Sequence, residues 1–106
     1  MALHHVAPGE KVRLPPAGSA DARTSALVKN DGFEAAQLVL RAGTTIQRHS
    51  VPGYAIVYCI EGCVILDANS ETKLRAGDWI YLDRNEEHGL RAMEDSSLLL
   101  TVLFDR

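Results

Sequence analysis

From residue 26 onward, turn residues cut this chain into short pieces. Asn30-Asp31-Gly32, Ala42-Gly43, Pro52-Gly53, Glu61-Gly62, Asn69-Ser70, Ala76-Gly77-Asp78 and Arg84-Asn85 punctuate it, at roughly the 8–12-residue interval of an all-β sandwich or barrel. The pieces between them have strand composition. Residues 56–60 and 79–82 are rich in β-branched and aromatic side chains, which suit a pleated, half-buried surface. Residues 98–104, Leu-Leu-Leu-Thr-Val-Leu-Phe, form a continuous apolar run. Such a run suits burial on both faces of a strand, or a subunit contact.

One segment pulls the other way. Residues 34–42, Glu-Ala-Ala-Gln-Leu-Val-Leu-Arg-Ala, are good helix formers and run into Gly43, a residue that ends helices well. Propensity alone gives a helix, but one of about two and a half turns is marginal without tertiary packing. The motif described below places a strand directly before Gly43, and we read strand. Residues 1–25, with Pro8, Gly9, Pro15, Pro16 and Gly18, read as an N-terminal arm with one short strand over residues 11–14. Residues 26–106 read as a single barrel domain, in keeping with a length of one domain.

The net charge of −3 and the absence of any basic cluster argue against a nucleic-acid partner. No apolar run reaches the roughly 18 residues of a membrane-spanning helix, so no membrane association is expected. The N-terminus lacks the charged and apolar regions of a secretory signal, which makes the cytoplasm the expected compartment. Two cysteines, Cys59 and Cys63, flank Glu61-Gly62. A two-residue hairpin loop there pairs Cys59 with Val64 and Ile60 with Cys63. The two thiols then face opposite sides, and both are expected to be reduced.

The chemistry-bearing pattern is a skeleton of glycines and histidines. Gly43, five residues, His49, and later Gly62 form a first block; Gly77-Asp78 and then His88 form a second. This layout resembles the two motifs of the cupin family, G-x5-H-x-H-x3,4-E-x6-G and G-x5-P-x-G-x2-H-x3-N. Four glycines and histidines of the outline match, Gly43, His49, Gly77 and His88, and Gly62 closes the first motif. Other positions depart. The second histidine position is Val51, and the glutamate position is Ala55. The proline, glycine and asparagine positions of the second motif are Asp83, Asn85 and Ala92. The resemblance spans roughly residues 33–104.

The resemblance implies a small antiparallel jelly-roll barrel, the double-stranded β-helix, with little or no helix and with the motif residues at its mouth. Period two then sets the faces. His49, Val51, Ala55, Val57, Cys59, Ile80, Leu82, His88 and Leu90 are expected to line the interior. Tyr54, Ile56, Tyr58, Ile60, Trp79 and Tyr81 are expected outside. Cupins commonly pair their barrels, and the outer aromatics Tyr58, Trp79 and Tyr81 make a homodimer contact an expectation.

Two functional readings follow. In the first, apolar residues at two ligand positions leave a mostly apolar pocket carrying two imidazoles, which binds a small molecule. In the second, the protein is a metal-dependent enzyme resembling cupin dioxygenases or isomerases. His49 and His88 then hold a divalent transition metal (zinc, iron, nickel or manganese) with a third ligand from elsewhere. Candidate third ligands are Cys59, which lies deeper on the inner face than Ala55, Glu86 and Glu87 just before His88, and His4 or His5 from the arm. A metal-free reaction with His88 as general base is a further reading. Arg41, Arg48, Arg84 and Arg91 read as scattered surface charges, and Asp78 as the acceptor of a turn hydrogen bond.

Overall fold

The structure is a computed structural model that describes residues 5–20 and 22–104. It contains nine strands and, among the described residues, no helix: β1 Ser25–Lys29, β2 Phe33–Leu40, β3 Thr45–His49, β4 Tyr54–Glu61, β5 Cys63–Asp67, β6 Glu71–Arg75, β7 Trp79–Leu82, β8 His88–Ala92 and β9 Ser96–Leu103. They form two sheets. One has the order β1-β2-β9-β4-β7 and the other β3-β8-β5-β6. Every pairing is antiparallel.

The chain changes sheet again and again, and the turn residues mark most of those changes. At Ala76-Gly77 it returns from β6 to β7. Here Asp78 accepts the Arg75 N–H at 2.8 Å while its own N–H bonds the Arg75 carbonyl at 2.9 Å. That is the expected role of Asp78. At Asn30, the side-chain oxygen accepts the N–H groups of Gly32 and Phe33, both at 2.9 Å, and closes the β1–β2 hairpin.

Residues 33–40 form a strand despite their helical composition. Tertiary pairing overrides propensity because both edges of β2 are used. Eight consecutive residues pair with β9, from Phe33 opposite Leu103 to Leu40 opposite Ser96, and four pair with β1. The apolar run of β9 is a central strand between β2 and β4, which is why it carries apolar residues on both faces.

Alternation along β4 follows period two. Ala55, Val57 and Cys59 are 0–1% exposed, and Leu98 and Val102 of β9 pack with them from the inside. Val64, Leu66, Leu74, Leu90 and Ala92 meet them from the second sheet. The core is therefore the space between the sheets, sealed by side chains.

Two expectations need correction. Residues 11–14 form no strand. The β1 edge takes one bond from the arm, Val6 N–H to the Leu27 carbonyl at 2.8 Å, and residues 11–13 are exposed. Glu61-Gly62 is not a hairpin loop either. β4 and β5 lie in different sheets, so Cys59 does not pair with Val64. Both cysteines are free and both are buried. They are unbridged as expected, but the opposed-strand argument does not apply to them.

Candidate functional site

His49 is the last residue of β3, and His88 the first of β8. The two are direct partners across the ladder, so they occupy one end of the four-stranded sheet. Their rings lie 4.7 Å apart between centroids, tilted at 52°. His88 is buried, at 5% exposure, whereas His49 is exposed. One ring therefore forms the floor of the site and the other its rim.

A β-bulge brings them into register. Ile46 pairs with Leu90 and His49 with His88, so Gln47 and Arg48 stand opposite the single residue Gly89. The extra residue turns His49 back to the inner face that simple alternation from Ile46 would deny it. Gly89 makes the bulge possible. A Cβ on it would stand 2.9 Å from the Ile46 carbonyl oxygen and 3.3 Å from the Arg48 nitrogen. Arg48 crosses over this point and pairs with Asp67 of β5 at 3.1 Å, while also bonding the Ala68 carbonyl at 3.2 Å. Sequence reasoning missed Gly89 because a glycine in a strand does not announce which neighbour it admits.

Both imidazoles are oriented in the same way. His49 Nδ1 lies 3.0 Å from the Gln47 carbonyl oxygen, and His88 Nδ1 lies 3.0 Å from the Glu86 carbonyl oxygen. A carbonyl only accepts, so each Nδ1 carries the proton and each neutral ring keeps its lone pair on Nε2. The pair thus offers two preset acceptors side by side. They can take hydrogen-bond donors from a ligand, accept a proton in a reaction, or coordinate an ion.

A resident catalytic metal asks for more. Such sites hold three protein ligands and an open position, or two histidines and a carboxylate. Val51 and Ala55 have no donor atoms, and the described residues contain no group of three or more His, Cys, Asp or Glu side chains placed to hold an ion. Among the described residues, the side chains supply two donors and do not by themselves fit a resident metal of that kind.

The family model of the cupin domain matches residues 36–104. The chain belongs to the cupin family. Solved structures agree on the fold. A conserved protein of unknown function from Streptococcus pyogenes superposes with a TM-score of 0.79 at 22% identity, covering 100% of this chain and 99% of that one. A cupin superfamily protein from Desulfitobacterium hafniense gives 0.80 at 16% identity over 99% and 100%. KdgF from a Halomonas species gives 0.71 at 19% identity over 78% of each chain. No curated protein matches.

With the cupin register fixed, the departures from its motifs can be placed. Asn85 stands where the family has glycine, and its φ is +60°. Asparagine is among the few side-chain-bearing residues that accept this region, so the backbone role of the glycine survives. Asp83 stands at the proline position, and its carboxylate accepts the Arg84 N–H at 2.8 Å. Ala92 is locked between Gly43 and Thr44 by bonds of 2.8 and 2.9 Å.

None of the describable third-ligand candidates reaches the pair. Glu86 folds back onto its own turn, with Oε1 accepting the Asp83 N–H at 3.0 Å. Glu87 is exposed and, one residue before His88 in the chain, does not share its face. Cys59 is four residues beyond Ala55, about 13 Å along the strand, with its thiol directed at the Glu61 carbonyl, 3.5 Å away. His5 lines a cavity beside the β1–β2 hairpin with Val28 and Phe33, and His4 lies outside the described residues. The arginines are dispersed: Arg48 is paired with Asp67, and Arg84 sits 5.4 Å from the centre of the Tyr54 ring.

The remaining inner positions belong to the core rather than to the mouth. Ala55, Val57, Cys59, Leu82 and Leu90 are at most 7% exposed, while Val51 and Ile80 are partly buried and pack against that cluster. Burial pushes the Cys59 thiol above its ordinary value, and Cys63 and Asp78 push in the same direction. The folded state therefore holds this proton more tightly than the unfolded one. The associated stability is fully present below the ordinary thiol range and is lost as pH rises through the raised value. Native protein at pH 8 is expected to alkylate at Cys59 with iodoacetamide at least about tenfold more slowly than protein in denaturant. Equal rates would show that the thiol is neither buried nor shifted.

Proposed function

We propose that this cupin is a small-molecule binding protein whose recognition element is the His49–His88 pair. One observation carries the reading: two imidazoles 4.7 Å apart, each with Nδ1 held by a backbone carbonyl and Nε2 left as an acceptor. Paired acceptors suit a ligand that presents adjacent donors, such as neighbouring hydroxyl or amine groups. Because Ala55, Val57 and Leu82 are packed into the core, the ligand rests at the mouth, on the two rings and beside Val51. The same geometry supports His88 as a proton acceptor, but the residues around it name no reaction.

The test uses protein stripped of metal by chelator and a panel of polyols, sugars and amino alcohols. Binding is followed in long-range proton–nitrogen spectra of the imidazoles. A ligand of this site shifts the Nε2 signals of both rings, and His49→Ala and His88→Ala each weaken it at least about tenfold, the cost of one well-made hydrogen bond to a buried group. Binding that survives both substitutions, or a panel with no binder, defeats the reading.

A second copy of the chain is the partner we propose for the outer face of the five-stranded sheet. Seven large hydrophobics are exposed among the described residues, and five of them, Phe33, Tyr58, Trp79, Tyr81 and Leu103, share this one face by register. At about 200 Å² per ring, the four aromatics leave roughly 400 Å² bare, as large as the biggest patch on a typical monomer. Sedimentation is expected to give twice the chain mass, and Trp79→Lys with Tyr81→Lys is expected to give the chain mass. A wild-type monomer at 100 μM removes the proposal.

A further inference from the structure

A cavity of about 310 Å³ lies between the N-terminal segment and the end of β2, and shares no lining residue with the histidine pair. One wall carries Ala17, Ser19 and Arg23; the other carries Val39, Arg41 and Asp95. It sits at the Ala92 end of β8, where the Gly43 N–H bonds the Ala92 carbonyl. Four residues of strand, about 13 Å, separate that end from His88.

Both walls are tied down. The Thr24 hydroxyl accepts the Val39 N–H at 3.0 Å and donates to the Val39 carbonyl at 3.3 Å, which fixes Arg23 beside the end of β2. The Ala17 N–H bonds the Glu61 carboxylate. Across the gap, Asp95 Oδ1 accepts the Ala42 N–H at 2.9 Å and so holds the turn that carries Arg41. The Ser19 N–H and Ala22 N–H close the loop with bonds of 3.0 and 3.1 Å. A cavity with anchored walls keeps its shape without a ligand.

What the walls leave uncommitted is positive charge. Neither Arg23 nor Arg41 has an ion-pair or hydrogen-bond partner for its guanidinium among the described residues. Among the described lining residues, two guanidiniums and one carboxylate give a net charge of +1, and that carboxylate is already engaged by a backbone donor. The Ser19 hydroxyl in the same wall is also without a hydrogen-bond partner among the described residues. Guanidinium forks match oxyanions with two parallel bonds. The volume is at the small end of ligand sites.

We propose that this cavity binds a small molecule carrying one oxyanion, a phosphate or a carboxylate, clamped by Arg23 and Arg41. Asp95 in the same wall disfavours a second anionic group, so the rest of the ligand is neutral or cationic. This site is independent of the histidine pair, and either can fail without the other.

The test is a titration of isotope-labelled full-length protein with inorganic phosphate and, separately, with acetate, at constant ionic strength, read from the amide spectrum. For at least one of the two, the amides of Gly18, Ala22 and Ala42 are expected to shift along a saturating curve with a Kd below about 10 mM. The tighter probe identifies the oxyanion. Arg23→Gln and Arg41→Gln are each expected to weaken binding at least fivefold, and His49→Ala and Arg75→Gln to leave it unchanged. Both arginines are exposed, and the amide spectra of the variants report directly that they fold. Shifts that rise linearly without saturating, shifts spread evenly over all arginines, or binding kept in the Arg23→Gln/Arg41→Gln double variant overturn the proposal.

Discussion

Gly62→Ala is expected to cost about 3 kcal/mol of stability, the sum of roughly 1–3 kcal/mol for a strained backbone and 1–3 kcal/mol for overpacking. The reason is where Gly62 stands. It is the single residue between β4 and β5, at the point where the chain leaves one sheet for the other. Its φ is +92°, and a Cβ there would lie 2.3 Å from the Ser96 hydroxyl oxygen and 2.5 Å from the Asp95 carbonyl oxygen. Neither can step aside. The Ser96 hydroxyl accepts the Cys63 N–H at 3.0 Å and donates to the Glu94 carbonyl at 2.8 Å, and Ser96 is fully buried. Moving it would break the bonds that start β5 and β9. In a thermal melt the midpoint should fall by roughly 10–25 °C at the 4–8 °C per kcal/mol of a domain this size. Gly43→Ala and Gly77→Ala serve as controls. They share the positive φ but have nothing within 4 Å of the added carbon, so they should lose only the backbone part. If all three variants melt together, contact at the crossing is not what makes Gly62 special.

That crossing marks a boundary of what the sequence discloses. Most turn positions and the two faces of β4, β7 and β8 follow from local pattern, because alternation and turn chemistry are local properties. Tyr58 and Trp79 are outside and Val57 and Leu82 inside, as period two requires. Whether a glycine turns a strand back on itself or passes it to another sheet depends on what packs against it. For Gly62 that is Ser96, 34 positions away. The same holds at the histidines. Their spacing from Gly43 and Gly77 marks them as partners, but their meeting depends on the bulge at Gln47-Arg48 and on Gly89 beneath it. The fixed tautomers were equally out of reach, since they depend on the carbonyls of Gln47 and Glu86. The helix-like composition of residues 34–42 misleads in the opposite sense. Two neighbouring strands outweigh its propensity, which sums to less than their pairing contributes.

Restoring the two missing donors is expected to turn this site into a metal centre. Val51→His and Ala55→Glu together put a histidine and a carboxylate at the positions where cupin motifs have them. Their partners are ready, because His49 and His88 already present Nε2 lone pairs fixed by Nδ1 bonds of 3.0 Å. A third and a fourth donor should raise the affinity for zinc or nickel at least about 100-fold over the native pair, since each added ligand acts within a site whose other members are preorganised. The substitution also has a cost that gives the experiment its second readout. Ala55 is 1% exposed and packed in the core. A glutamate there is overpacked and, without a cation, an unpaired buried charge, which destabilises by about 3–5 kcal/mol. Metal at 1,000 times its Kd returns about 4 kcal/mol through linkage. The double variant should therefore melt well below the native protein in chelator and recover most of the difference in zinc, whereas the native protein should respond far less. Adding His49→Ala to the double variant should cut the zinc affinity again. A double variant that binds no more tightly than the native chain, or whose binding ignores His49→Ala, would mean that the two imidazoles are not held where an ion can use them. The reading of the mouth as a preset pair of acceptors would fall with it.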